Sequence, residues 1–317
     1  MSLAFVFPGQ GSQAPGMGRD LADAFPIARE TFQEVDDALG QKLSRLMFEG
    51  PGEELTLTAN AQPALMAVSV AILRVLAKEG GFDMSRQVSL VAGHSLGEYS
   101  ALTAAGSFDL ATAARLLRLR GDSMQAAVPP GEGAMAALLG ADAAQASTIC
   151  AEAAEGPEGR EVVEVANDNG GGQVVISGAK SAVERAVELA KAAGVKRAMI
   201  LPVSAPFHCA LMEPAARVME EALGTASMAH PAVPVVANVT AAPVSDPDAI
   251  RGLLVRQVTG TVRWRECVVA MVAAGCTRFV EVGAGRVLTG LMKRNAPEAA
   301  ALAINNPADI EAFLKSL

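Results

Sequence analysis

The sequence predicts an α/β fold: a mainly parallel sheet covered by helices on both faces, interrupted by a small second sheet. Three observations carry this. Short apolar runs bounded by Gly or Pro alternate along the chain with longer helical patterns, as in a covered parallel sheet. The clearest linker, Pro129-Pro130-Gly131, opens a stretch with its own order of elements, β-α-β-β-α-β. The 317 residues are 51% hydrophobic and 19% charged, enough apolar surface for a large core and too much for intrinsic disorder.

Taken in order, Leu3–Phe7 reads as a buried strand closed by Pro8-Gly9. Polar and helical segments follow to about Glu54. Pro63 is expected near the start of a long apolar helix that runs to about Lys78, a favoured place for proline. Val88–Ala92 is a second short strand ended by Gly93, and a helix covers Leu96–Ala105. Asp109 suits the N-cap of a helix reaching Ala127. Beyond the linker, Ala134–Leu139, Glu161–Ala166, Gln173–Ser177 and Lys196–Val203 read as strands, with helices over Asp142–Ala154 and Ser181–Ala193. That is the ferredoxin-like order. After Pro206 the alternation resumes: helix Pro214–Leu223, strand Val233–Val239, helices Asp248–Val258 and Arg263–Ala274. Strand Thr277–Val282, helix Val287–Lys293, strand Ala300–Ile304 and helix Asp309–Leu317 close the chain. The expected organisation is a catalytic core of residues 1–130 and 205–317 with a ferredoxin-like subdomain of residues 131–204 inserted into it.

Composition narrows the function. The net charge is −8 and no long basic run offsets it, which argues against a nucleic-acid duty. Cys150, Cys209, Cys267 and Cys276 form no CxxC pair and the three histidines do not cluster with them, so no metal site is expected and the thiols read as reduced. The N-terminus lacks the basic region of a signal peptide, and no run reaches about 18 uninterrupted apolar residues. No membrane partner and a cytoplasmic location are therefore expected.

The strongest local signal is Gly93-His94-Ser95-Leu96-Gly97, a GxSxG between a short apolar strand and a helix. That setting makes it a nucleophile elbow: the turn exposes the serine hydroxyl at the carboxyl end of the sheet, and the helix N-terminus favours developing negative charge. A serine hydroxyl needs a base. His94 adjoins Ser95, where neighbouring side chains diverge, and reads as structural; His230 reads as an exposed loop residue. His208, in Ser204-Ala205-Pro206-Phe207-His208-Cys209 directly after a strand, is either the base or a histidine satisfied in a turn. Cys209 beside it is the weaker nucleophile candidate. The loop Phe7-Pro8-Gly9-Gln10-Gly11-Ser12-Gln13 follows the first strand and lies at the same sheet end, where Gln10 or a main-chain N–H could serve as oxyanion donor. A phosphate cradle is the rival reading there, without GxGxxG or a P-loop lysine. Asn169-Gly170-Gly171-Gly172 reads as a hairpin loop, and Gly283-Ala284-Gly285 as a weak anion-site signal.

FPGQGSQ at the N-terminus, GHSLGE from Gly93, the pair Arg120-Gly121, SAPFH ending at His208, and Gln257 together resemble the malonyl-CoA:acyl-carrier-protein transacylase family over essentially the whole chain. The resemblance implies an α/β-hydrolase-like core, malonyl-CoA as substrate, acyl carrier protein as partner and no cofactor. It implies Ser95 as the acylated nucleophile and His208 as its base, oriented by the main-chain carbonyl of Gln257. The main-chain N–H groups of Gln10 and Leu96 would form the oxyanion hole. Arg120 would clamp the malonyl carboxylate, as a planar guanidinium suits a carboxylate, and Phe207 would crowd the malonyl α-carbon. An acidic carrier protein would need a local basic patch on this acidic chain, for which Lys191, Lys196, Arg197, Arg286, Lys293 and Arg294 are candidates. Two other classes compete: a serine acyl hydrolase or thioesterase, and a non-catalytic carrier-protein scaffold. The long stretch after His208 departs from ordinary α/β-hydrolases.

Overall fold

Strand β1 (Ser2–Phe7) is buried from Leu3 onward, the mark of a strand covered on both faces. The structure, a computed structural model, describes residues 2–157 and 159–317. After β1 come helices α1 (Arg19–Ala24), α2 (Pro26–Leu39), α3 (Leu43–Glu49), α4 (Gly52–Thr56), α5 (Thr58–Gly80) and α6 (Met84–Gln87). Strand β2 (Leu90–Gly93) leads through a tight turn into α7 (Gly97–Ala104), and Asp109 caps α8 (Leu110–Ala126) by accepting from Thr112 N. The inserted segment holds β3 (Gly133–Leu139), α9 (Ala143–Ala153), a short ribbon of β4 (Glu155–Gly156) and β5 (Gly159–Arg160), β6 (Val163–Gly170), β7 (Gln173–Ala179), α10 (Lys180–Ala192) and β8 (Arg197–Ile200). The chain then returns through α11 (Glu213–Thr225), β9 (Val235–Ala237), β10 (Ala242–Val244), α12 (Pro247–Thr259), α13 (Trp264–Ala273), β11 (Cys276–Val282), α14 (Val287–Asn295), β12 (Ala300–Ile304) and α15 (Pro307–Leu314).

The main sheet runs β10-β9-β2-β1-β11-β12, parallel throughout except for the antiparallel edge pair β10–β9. Its central strands β2, β1 and β11 end together, so the loops after β1 and β2 meet at one rim, where ligands gather in open α/β sheets. The second sheet, β6-β7-β3-β8, is antiparallel, with the strand order of a split βαβ unit. Its helices α9 and α10 cover one face and bury a core of their own.

Several boundaries differ from the sequence reading, each for a physical reason. Helix α5 starts at Thr58, which puts Pro63 inside the helix rather than at its first turn, leaving the Ala59 carbonyl without its usual helix donor. The same helix is long and apolar enough to cross a membrane, yet 83% of its most apolar window is buried; α2 and α8 pack on it. Strand β8 is shorter than expected because Pro202 cannot donate to a ladder. Strand β6 is longer: the polar run Asn167-Asp168-Asn169 reads as loop but is buried and pairs with the core. There Asp168 N donates to Val262 O (2.9 Å), Val262 N donates to Ala166 O (2.8 Å), and Arg265 pairs with the Asp168 carboxylate at 2.8 Å.

Candidate active site

The turn between β2 and α7 holds Ser95 at φ 54°, the left-handed region that costs a non-glycine residue energy. The two motif glycines explain how the chain fits there. A Cβ on Gly93 would lie 1.8 Å from the Gly97 carbonyl, and one on Gly97 would lie 2.3 Å from Phe7 O. Asn238, just after β9, braces the elbow: its Oδ1 accepts from Ser95 N (2.8 Å) and its Nδ2 donates to Gly93 O (2.7 Å).

His208 also has a left-handed backbone, φ 59°, and is buried. Its Nε2 lies 2.8 Å from Ser95 Oγ, and its Nδ1 lies 2.9 Å from the main-chain oxygen of Gln257 on α12. The carbonyl can only accept, so Nδ1 carries the proton and Nε2 is left to accept from the serine hydroxyl. Burial, with Arg120 nearby, pushes the imidazole down to about 3, so it is neutral and able to take a proton at neutral pH. Ser95, His208 and Gln257, which only the family resemblance grouped, thus lie together in the fold.

Arg120 reaches the same hydroxyl from α8. Only 1% exposed, it donates from Nη1 to Gln62 Oε1 (2.8 Å) and from Nη2 to Gln257 Oε1 (3.0 Å) and Ser95 Oγ (3.2 Å). Its guanidinium sits 5.8 Å from the Tyr99 ring centroid, and its buried Nε has no acceptor among the described residues. Its Nη2, the donor that reaches the serine hydroxyl, is where an anionic oxygen would be met. Gly121 explains the adjacent glycine of the motif: a Cβ there would lie 2.6 Å from Ala59 Cα, so α8 can press against α5 and aim Arg120 inward only without a side chain at Gly121.

Gln10 and Leu96 flank Ser95 from the β1 loop and the start of α7. The Gln10 side chain donates to Thr58 Oγ1 (3.2 Å), and Gln10 lines the cleft. Neither main-chain N–H has an acceptor among the described residues. The cleft, about 550 Å³, lies between the two sheets; Ser12, Met135, Val175, Ser204, Phe207 and Leu291 are among its walls. Its mouth carries exposed Leu57, Val203 and Val287.

The other candidates fall elsewhere. His94 Nε2 bonds Asn169 Oδ1 (2.8 Å) and ties the elbow to β6. His230 is exposed, with Nδ1 3.1 Å from Ser245 O. Cys209 is buried, donates to Pro206 O, and burial pushes its thiol up to about 11. None of the six basic docking candidates lines the cleft itself. Arg294 lies over the Gly171 hairpin and Lys196 against Gly140, both near the insertion's end, and Arg197 pairs with Leu139 on edge strand β8. Arg286 and Lys293 instead share a separate groove with Arg278 and Asp309, and Lys191 pairs with Glu188 on α10. The expected single patch is therefore divided between faces.

Sequence reasoning missed Glu98, Asn238 and Gln62. Glu98 closes the GHSLGE run, and a carboxylate in the first turn of a helix buried from Gly97 to Leu102 is itself a signal. Asn238 sits at the carboxyl end of a buried strand, the position where α/β sheets place site residues.

Residues 4–306 match the family model described as the acyl transferase domain. The malonyl CoA-acyl carrier protein transacylase of Escherichia coli strain K12 is 50% identical over 313 residues, 99% of either chain. An acyl-carrier-protein S-malonyltransferase from Bartonella henselae superposes with a TM-score of 0.96 at 56% identity, covering 100% of this chain and 99% of that one. A malonyl-transacylase solved in complex with a type II polyketide acyl-carrier protein superposes with a TM-score of 0.95 at 48% identity, each chain fully covered. With motifs, sheet order and full-length similarity in agreement, the chain belongs to the acyl transferase domain family, among the malonyl CoA-acyl carrier protein transacylases.

Proposed function

We propose that the enzyme moves a malonyl group from malonyl-CoA to the phosphopantetheine thiol of an acyl carrier protein through a malonyl-Ser95 ester, supplying fatty-acid synthesis. The observation that carries the reading is the convergence on Ser95 Oγ of a neutral histidine nitrogen at 2.8 Å and a buried guanidinium at 3.2 Å. His208 takes the serine proton as Oγ attacks the thioester carbonyl. The oxyanion is met by the main-chain N–H groups of Gln10 and Leu96, the latter at the N-terminus of α7. His208 returns the proton to the departing CoA sulfur. In the second half the carrier thiol gives its proton to His208, attacks the malonyl ester and frees Ser95. A thioester becomes an ester and then a thioester again, so no oxidation state changes and the balance calls for no cofactor. Arg120, whose Nη2 reaches Ser95 Oγ, holds the malonyl carboxylate. Phe207, on the cleft wall, crowds the α-carbon.

The carrier approaches the cleft mouth, where we place its basic contacts at Lys196, Arg197 and Arg294. The remainder of the organisation belongs to the same reading: core of residues 1–130 and 205–317, subdomain of residues 131–204, and a cytoplasmic setting in keeping with four free, buried cysteines. The test is intact mass after mixing with malonyl-CoA. One malonyl unit should add to the chain, map to Ser95, and disappear when holo carrier protein is added. Loss of the label to water at the same rate without carrier would make the enzyme a hydrolase. No label at all would make it a scaffold.

A further inference from the structure

Arg120 is buried, yet among the described residues none of its hydrogen bonds goes to a carboxylate. The acid that balances it is Glu98 on α7, 2% exposed, whose Oε2 accepts from two neutral groups: Asn238 N at 2.9 Å and Gln257 Nε2 at 2.8 Å. The Gln257 amide therefore stands between cation and anion. Its oxygen faces Arg120 Nη2 at 3.0 Å and its nitrogen faces Glu98, so its dipole lies along the line joining the charges. From this arrangement we infer that Glu98 is the resting counter-charge of Arg120, and that it takes up one proton when an acyl group bearing its own carboxylate enters the site. The inference rests on the reading of Arg120 as the malonyl clamp.

The physics is that of two anions sharing one buried cation. Before substrate and above about pH 7, Arg120 and Glu98 leave the pocket neutral. A malonyl carboxylate on Arg120 makes it net negative in a place where water does not screen, and the cheapest relief is to neutralise one carboxylate. Glu98 is poised for this. Burial already pushes its carboxyl up to about 7, against the pull of the Asn238 and Gln257 donors and of Arg120. The other titratable groups facing this region have no proton to exchange near neutrality. Burial pushes up the Tyr99 phenol beside Glu98 and the Cys267 thiol on α13, so both stay protonated. Burial pulls down His94 and His208, so both stay neutral. The proton comes from solvent as the malonyl-serine forms and returns to solvent when the malonyl group leaves for the carrier. An acetyl group demands no such exchange. Glu98 also keeps Arg120 from being an unopposed cation that would hold any small anion too long.

Two measurements on the full chain test this. The first is kcat/KM for acylation of Ser95 by malonyl-CoA and by acetyl-CoA as a function of pH; the ratio of the two cancels the ionisation of the CoA moiety that they share. In the parent the malonyl:acetyl ratio should fall about tenfold or more from about pH 6.5 to about pH 8.5, as Glu98 becomes ionised in the free enzyme. In Glu98→Gln, whose amide oxygen can still accept from Asn238 and Gln257, the ratio should be flat and higher than the parent's at the alkaline end. The second needs no variant. Stoichiometric acylation at about pH 8 in weak buffer with an indicator should consume close to one proton per malonyl-serine and none per acetyl-serine. A parent ratio independent of pH, a Glu98→Gln profile that follows the parent's, or equal proton uptake with the two acyl groups overturns the inference. Arg120→Ala separates the layers. If it leaves the malonyl preference intact, the clamp itself is wrong; if it abolishes the preference while Glu98→Gln behaves as the parent, only the role of Glu98 is wrong.

Discussion

Replacing Arg120 by alanine should change which acyl group the enzyme accepts more than how fast it acts. Arg120 is 1% exposed and spends three hydrogen bonds on Gln62, Gln257 and Ser95. Truncation leaves the Gln62 and Gln257 oxygens as buried acceptors without a donor, a cost of about 1–3 kcal/mol each. That cost falls on the protein whatever the substrate, so it slows malonyl and acetyl transfer alike. The malonyl carboxylate carries an additional loss. It would enter a buried pocket with no cation, and removing one partner of a buried charge pair costs about 2–5 kcal/mol. At ~1.4 kcal/mol per decade, the malonyl:acetyl ratio of kcat/KM should drop about thirtyfold to several-thousandfold. Arg120→Lys should fall in between, since an ammonium keeps the charge and loses the planar fork. The assay is time-resolved intact mass of acyl-Ser95 with each CoA ester under single-turnover conditions, which separates acylation from carrier transfer. A ratio within about threefold of the parent's, in a variant that folds, would refute the clamp, because no buried carboxylate survives the loss of its only cation so cheaply.

Ser95→Ala should abolish the malonyl adduct, and a label on Cys209 in the parent would reassign the nucleophile. Gly121→Ala should displace α8 from α5, since the new methyl would lie 2.6 Å from main-chain Ala59 Cα; about 1–3 kcal/mol of stability in denaturant melts and part of the malonyl preference should go together. Acid should destabilise the fold through His208: the buried ring titrates near 3 while the unfolded chain binds that proton near its ordinary 6.5, so stability present above about pH 6.5 is lost steadily as pH falls toward 3. His208→Asn should flatten that part of the stability–pH curve, and an unchanged slope would contradict the assignment. Charge reversal at Lys196 and Arg294 together should slow transfer to carrier protein more than acylation by CoA, with the difference shrinking at high salt; equal effects on both halves at low salt would remove that face from docking.

Most of the architecture was legible because it rests on local rules. Apolar runs too short for helices became β1, β2 and β11, and the linker at Pro129-Pro130-Gly131 does precede an antiparallel sheet of its own. The elbow was legible because GxSxG, a strand before it and a helix after it are all sequence-local. What escaped depends on contacts between distant segments. Strand β10 exists through its pairing with β9, and Pro243 in its middle argues against a strand when read alone. The polar end of β6 reads as loop until Val262 and Arg265 are seen to satisfy it. Glu98 and Asn238 lie far apart in the chain, and the bond that joins them appears only in the fold. The basic residues were easy to count and impossible to place, since helix α14 sends Arg294 to the insertion and Lys293 to the opposite groove.

The seam between β6 and the residues before α13 has a consequence for timing. Four main-chain and side-chain links join the insertion to the core there, Thr261 Oγ1 donating to Val165 O among them, and a fifth runs from His94 in the elbow to Asn169. Opening the cleft by swinging the insertion away would break them all at once. A slot tied across this seam resists widening and would sort visitors by reach. A slender pantetheine arm threads to Ser95, whether CoA or a carrier protein holds its other end, while a bulky thiol stops at the rim.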